Sequence, residues 1–327
     1  MMTNPIILIV EDHDILREGL NFLLETEGYR VLTAVNGVDA LENMENTCPD
    51  LILSDISMPE MDGYTFYSKV RERPDWVIIP FIFLTARGER DDVFASKKLG
   101  VEDYLIKPVD RQELVTTIRS RLDRSQQLML AQLHQAYEAS LIMLANAIEL
   151  RDQYTRGHVE RVMRYTELIA QKMELTTGQA SPLRFGSILH DIGKIYIKET
   201  ILSKAGPLSD QEWTEMKQHP VIGAELVRKI PYLRPAIPII RHHHERWNGG
   251  GYPDGLCGDQ IPLGARIVSV VDAFDAMTTM RVYQKAVSSE RALEEIQRGR
   301  NERYDPNVVD AFTEAWRQID QDLKHTE

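Results

Sequence analysis

The chain has 327 residues, with 38 Lys and Arg against 50 Asp and Glu for a formal net charge of −12, and this length accommodates two domains, each with its own core. So acidic a balance argues against a nucleic-acid surface in either half, and any anionic substrate then needs a local basic pocket. Two cysteines, Cys48 and Cys257, are too few for a disulfide framework, and no apolar run approaches bilayer-spanning length, so a soluble cytoplasmic protein with no membrane partner is expected.

Short apolar runs at residues 6–10, 51–53 and 81–84 alternate with amphipathic stretches of helical length such as 15–25 and 93–99. Strands without polar alternation are buried on both faces, so the first domain is expected to be a doubly wound α/β fold, flavodoxin-like, with five parallel strands. Polar residues then fall at the carboxyl ends of strands, where such a sheet places its site: Glu11 and Asp12 after the first, Asp55 after the third, Thr85 after the fourth and Lys107 after the fifth. Three crowded carboxylates repel unless a hard cation sits among them, and an oxygen-rich site suits Mg²⁺. Asp55 is then a candidate nucleophile towards phosphorus, with Mg²⁺ and Lys107 neutralising the transferring group.

This set, with LSDISMPEMDGY around Asp55, FLTAR around Thr85 and DYLIKP ending at Lys107-Pro108, resembles the receiver domain of bacterial response regulators. The resemblance implies that Asp55 is the phosphoacceptor for a sensor histidine kinase. It also implies that the carbonyl of Ser57 joins Glu11, Asp12 and Asp55 as an Mg²⁺ ligand, that Thr85 and Tyr104 form a switching pair, and that Lys107-Pro108 is a cis peptide. One departure is Glu11, where many receivers carry a second aspartate. The alternative is a flavodoxin-like domain whose acids merely solvate strand ends.

From Val109 to Arg156 there is neither glycine nor proline, so one long helix is expected to leave the first domain and enter the second. Ile118, Leu122, Met129, Ala136 and Met143 fall on heptad-like positions, interrupted by Ser125 and Gln132, which predicts a homodimer through a parallel helix or, alternatively, an exposed amphipathic helix of a single chain. A dimer helix would be a lever from Asp55 to the second site. The boundaries read as residues 1–120, a linker at 121–138, and a second domain at 139–327.

Helical periodicity dominates the second domain, at 159–173, 182–192, 211–217, 220–229, 234–245 and 264–279, with Pro182 and Pro220 placed in first turns, and this predicts an all-α bundle. Six of the nine histidines lie between His158 and His244, and Asp272 sits inside the apolar run IVSVVDAF. Buried without partners, such groups would cost several kcal/mol each, and a shared metal centre satisfies them together. Neighbours on a helix point about 100° apart, so His190 and Asp191 straddle two ions more readily than they chelate one.

HDIGK at 190–194, HPVIGAEL at 219–226, HHHERWNGGGYPDGL at 242–256 and ARIVSVVDAFDAMT at 265–278 together resemble the HD-GYP phosphodiesterase family. The resemblance implies a binuclear centre, with His158, His190, Asp191 and Asp272 at the first metal, and Asp191 bridging to His219, His243 and His244 at the second. Imidazole and carboxylate together suit Fe, Mn, Zn or Ni; the resemblance points to iron first. Tyr154 stands where some members carry a third-metal glutamate, and His242 is left outside the ligand set.

Two metals activate a water for in-line attack on a phosphodiester. The family hydrolyses cyclic di-GMP to linear pGpG and often on to GMP. The resemblance makes Lys194 and Arg281 contacts to the phosphate, Asp152 an assistant near the nucleophile, and Gly251, Tyr252 and Pro253 a loop that shapes the pocket and faces diguanylate cyclase partners. Gln284 replaces a basic residue of many relatives, and Lys285 is the compensating cation. The alternatives are an HD-superfamily phosphohydrolase acting on another nucleotide, and a non-catalytic module that signals through partner contacts.

Overall fold

A computed structural model of the chain describes residues 4–86, 103–152, 157–204, 206–279 and 286–326. The chain divides into two compact units, Met1–Gln135 and Ala136–Glu327.

In the first unit β1 (Ile6–Val10), β2 (Arg30–Ala34), β3 (Leu51–Asp55), β4 (Phe81–Thr85) and β5 (Asp103–Ile106) form one parallel sheet in the order β2-β1-β3-β4-β5. Both faces of its central strands are covered: Ile7, Ile9 and Leu53 pack with Leu20, Leu24, Leu114 and Ile118, while Leu8, Val10 and Ile52 pack with Ala40, Met44 and Phe66. That is why the strands read as uninterrupted apolar runs. The sheet is the expected doubly wound one, and its chain order reverses beside β1, opening a crevice at the carboxyl ends of β1 and β3. Asn36 accepts from the N–H groups of Val38 and Asp39, and Asp62 from that of Thr65, so two of the covering helices start on side-chain caps. The amphipathic stretch expected at 93–99 lies outside the described residues.

The uninterrupted helix is present as Arg111–Glu149, 39 residues long. Leu114 and Ile118 are buried in the sheet unit's core, whereas Leu141, Ala145 and Ile148 are buried in the helical unit's core. Ile118 is therefore not available to a coiled-coil seam, a correction to the heptad reading. Burial against the sheet uses the same side chain that the seam would need. Between the two buried segments Leu128, Met129, Leu130 and Leu133 are all more than half exposed.

The second unit is helical. Its centre is Leu263–Thr278, whose Ile267, Val268, Val270, Val271 and Phe274 are fully buried against Val162, Tyr165 and Ile169 of His158–Lys172 and Val308, Phe312 and Ala315 of Pro306–Thr326. Three helix limits differ from the periodicity. The helix expected from Pro182 starts at Thr177, because Thr176 and Gln179 make a reciprocal capping box, and Pro182 lies inside it. The same helix ends at Leu189 and a 3₁₀ turn, Ile192–Tyr196, follows. The stretch 234–245 is split into a 3₁₀ turn, Pro231–Ala236, and a short helix, Ile237–His242, since Pro235 and Pro238 withhold two N–H donors. Among the described residues no helix is long and apolar enough to cross a membrane.

Candidate metal centre and active site

In the sheet unit, carboxylate oxygens of Glu11, Asp12 and Asp55 lie within 4.8 Å of one another. Lys107 Nζ reaches Asp55 Oδ1 at 2.8 Å and Glu11 Oε2 at 2.7 Å. Burial pushes the Glu11 carboxyl up, although the Lys107 hydrogen bond opposes it. Lys107 in turn is held above its ordinary value, since the hydrogen bonds it donates to Asp55 and Glu11 outweigh its burial. Three carboxylates and one ammonium leave surplus negative charge in an all-oxygen donor set, which fits a hard divalent cation. Thr85 is buried at the end of β4, and Tyr104 stacks on Phe83 with ring centroids 5.6 Å apart. Ser57 is exposed, two residues beyond the end of β3. The Lys107-Pro108 peptide is cis, as the resemblance implies.

In the helical unit the polar residues singled out above come largely from helix ends. His158 opens its helix after Gly157, which sits at φ +86°, His190 caps the end of Thr177–Leu189 and Asp191 follows, His219 opens His219–Arg228, and His243 caps Ile237–His242. Only Asp272 projects from mid-helix. Donor atoms gather in two groups, each within 4.8 Å: His158, His190 and Asp272 in one, and Asp191, His219, His243 and His244 in the other. Asp191 joins the two. Its Oδ1 is 3.1 Å from His219 Nε2, and its Oδ2 is 3.4 Å from His190 Nε2.

The tautomers follow from the hydrogen bonds. Nδ1–H donates to a main-chain carbonyl in His190 (Ser187, 2.7 Å), His219 (Met216, 2.8 Å) and His243 (Ile240, 2.8 Å), and to Asp275 Oδ2 in His158 (2.7 Å). Each ring therefore turns an Nε2 lone pair inward. His219 and His243 Nε2 are 3.4 Å apart, and the buried His190 Nε2 makes no hydrogen bond. Lone pairs facing one another in a dry site repel unless a cation lies between them, so the residues present fit metal ions.

The titration behaviour agrees. Burial, reinforced by His219, holds His244 down at about 3, and burial with three neighbouring imidazoles holds His243 well below its ordinary value. Burial also opposes charge on His190, yet Asp191 and Asp272 outweigh it and push that ring up to about 9. A cation in place of a proton at His190 Nε2 would satisfy the same two carboxylates. Asp191 itself is held well below the carboxylate range: Lys194, 2.8 Å away, and His190 overcome its burial.

Lys194 lies in the 3₁₀ turn that follows the helix Thr177–Leu189, where Gly193 packs directly on the His219 carbonyl. In the loop, Tyr252 stacks on His244 with centroids 4.8 Å apart, and burial raises its hydroxyl. The Tyr252-Pro253 peptide is cis, and a Cβ on Gly251 would meet the main chain of Glu245 and Arg246 at 2.4 Å. Glu245 Oε1 accepts from the N–H groups of Asp254 and Gly255, while Arg241 and His242 both bond the Asp254 carboxylate, so His242 buttresses the loop. Arg281, Gln284, Lys285, Tyr154 and the side chain of Asp152 lie outside the described residues.

Three residues at this site were not singled out from sequence. Asp275, one turn past Asp272 on the same helix, orients His158 and is itself paired with Arg161 Nε at 2.5 Å. Glu149, at the end of the long helix, lies 3.8 Å from His158 Nε2, and burial pushes it up to about 7. The DAFDAMT spacing could have revealed Asp275, whereas nothing in the sequence marks Glu149. Replacing Asp275 by Ala is expected to weaken metal retention 10- to 100-fold. Metal analysis after dialysis against a chelator reads this, and retention equal to the unmodified chain would contradict it.

These groups open into a cavity of about 690 Å³ shared by Asp191, Lys194, His244, Tyr252 and Asp272. The profile of the HD domain matches residues 142–308, and that of the response regulator receiver domain residues 7–119. A probable cyclic di-GMP phosphodiesterase of Vibrio cholerae is 34% identical over 94% of this chain and 76% of its own. The cyclic di-GMP phosphodiesterase response regulator RpfG of Xanthomonas campestris pv. campestris is 34% identical over 96% of this chain and 89% of its own. A 3′3′-cGAMP-specific phosphodiesterase of Vibrio cholerae is 38% identical over 53% of this chain and 34% of its own. With two such relatives aligned along nearly its whole length, the chain belongs to the response regulators that join a receiver domain to an HD domain of the cyclic di-GMP phosphodiesterase family.

Proposed function

We propose that this chain is a response regulator whose output is metal-dependent hydrolysis of cyclic di-GMP, controlled by phosphorylation of Asp55 from a sensor histidine kinase. The observation that carries it is the convergence of five imidazoles and two carboxylates of distant segments in two adjoining donor groups, of which His158, Asp191, His219, His244 and Asp272 line one cavity. The name of the full-length relatives supplies the substrate.

His158, His190 and Asp272 would hold one ion and His219, His243 and His244 the other, with Asp191 placed to serve both. Iron is the metal the family favours, and Mn, Zn or Ni would fit the same donors. When bound, such a pair supplies Lewis acidity towards the phosphodiester and a water of lowered pKa for in-line attack. Lys194 orients Asp191 and presents its ammonium to the phosphate. Tyr252, pinned on His244, closes the cavity wall and excludes water. The sheet unit's Glu11, Asp12 and Asp55 hold Mg²⁺, with the Ser57 carbonyl, and Lys107 neutralises the incoming phosphoryl group. Thr85 and Tyr104 read the phosphorylated state. Arg281 and Lys285 contact substrate phosphate, Asp152 assists near the nucleophile, and Gly251, Tyr252 and Pro253 face cyclase partners. The exposed middle of the long helix pairs two copies of the chain.

A second reading, another cyclic dinucleotide, draws on the 3′3′-cGAMP-specific relative that matches the helical half. Turnover of a panel of cyclic dinucleotides by anaerobically purified protein, with metal analysis, decides between them. Phosphorylation of Asp55 by a small phosphodonor is expected to change that turnover, and Asp55→Asn to abolish the change. A response to the phosphodonor that survives Asp55→Asn would remove this control.

A further inference from the structure

The lining of the cavity includes four cations: Lys194, Lys204, Arg246 and Arg303. Two are already matched, Lys194 by Asp191 at 2.8 Å and Lys204 by Glu212. Their neighbour Arg266 is matched too, by Asp305 at 2.6 Å and Asp259 at 2.9 Å. Among the described residues, Arg246 and Arg303 have no carboxylate at ion-pairing distance. Both arginines are exposed on the cavity wall, so their guanidinium groups are available to an anion that enters it.

Their placement is built, not incidental. Arg246 directly follows Glu245 and stands at the close approach of Gly251, where no side chain could enter. The next two residues are bound to the segment carrying Arg303: Trp247 N–H donates to the Arg303 carbonyl at 3.1 Å, and Asn248 N–H to the Glu302 carbonyl at 2.9 Å. The Arg303 guanidinium lies 5.6 Å from the centre of the Tyr304 ring, and Arg303, Asp272 and Arg246 all act electrostatically on the buried Tyr304 hydroxyl. The two arginines therefore share the cavity wall around Tyr304 with Asp272.

We infer that Arg246 and Arg303 form a clamp for the second, unreacting phosphate of a cyclic dinucleotide while the first sits at the metal cluster. A cyclic dinucleotide carries two phosphodiesters on opposite sides of one ring, and a guanidinium fork matches phosphate in a bidentate way. A cavity of about 690 Å³ also falls in the ordinary range for a ligand of that size, roughly 300–1,000 Å³. The clamp makes Arg246 and Arg303 specificity-determining residues: they select substrates with a second phosphate over simple diesters.

This rests on the phosphodiesterase reading above, and the test separates the two. Full-length, metal-loaded protein is assayed on cyclic di-GMP and on bis(p-nitrophenyl) phosphate, which has a single diester. Arg303→Ala, Arg246→Ala and their size-conserving Gln counterparts are each expected to lower the ratio of kcat/KM on cyclic di-GMP to that on the ester about 10-fold, chiefly through KM. An unchanged ratio would overturn the clamp, whether both activities fall together, as a merely structural role predicts, or neither moves. If the unmodified chain hydrolyses the ester but leaves cyclic di-GMP intact, the substrate assignment fails instead. The clamp is then read from cyclic di-GMP as an inhibitor of ester hydrolysis: the same variants raise its half-inhibitory concentration about 10-fold, or the clamp is refuted.

Discussion

Asp191→Ala is expected to lower cyclic di-GMP turnover roughly 10³-fold or more and to strip the cluster of metal. Asp191 is the residue through which both donor groups meet. Its two oxygens face His219 at 3.1 Å and His190 at 3.4 Å, and Lys194 completes its shell at 2.8 Å. Removing the carboxylate leaves the Lys194 ammonium and several imidazoles crowded together with less negative charge to hold a cation. Lys194 would also lose the partner that orients it. The measurement is kcat at saturating substrate with parallel metal analysis. A variant that keeps both ions and turns over within tenfold of the unmodified chain would show that Asp191 is not the bridge.

The second large effect is expected from Gly193→Ala, a change of one methyl group outside the donor set. A Cβ at this position would lie 1.9 Å from the His219 carbonyl oxygen and 2.7 Å from the Gly223 nitrogen. Both are main-chain atoms of the helix that begins with His219, so no side chain can swing aside. That helix must move away from the turn carrying Lys194, and it takes His219 Nε2 away from Asp191. Overpacking of this kind destabilises by about 3 kcal/mol or more, and here the displacement also opens the cluster. Thermal unfolding and metal content should fall together. If the variant melts like its parent and retains its metal, the contact between these segments is looser than the distances indicate.

How much of this was legible beforehand differs from residue to residue. Ile7, Ile9 and Leu53 were readable as buried strand because sheet burial on two faces leaves a continuous apolar signature. Helix limits were less so: Pro182 suggested a start, yet the Thr176–Gln179 box set it earlier, a local competition that periodicity does not register. The aromatic and basic lining contributed by Arg246, Arg303 and Tyr304 was not visible at all. Their importance depends on two hydrogen bonds between segments far apart in the chain.

Sequence by itself settled the class of each half and drew attention to the histidines and aspartates, because residue chemistry is local: an imidazole or a carboxylate in an apolar setting demands a partner wherever it ends up. Tertiary structure alone decided which of them share a partner. The donors stand at the ends of separate helices, where direction is set by a cap, a left-handed glycine at 157 or a close main-chain approach at Gly193. Packing of those ends is a long-range property. It also recruited Asp275 and Glu149, whose acidic side chains look like ordinary helix residues until the fold buries them beside His158.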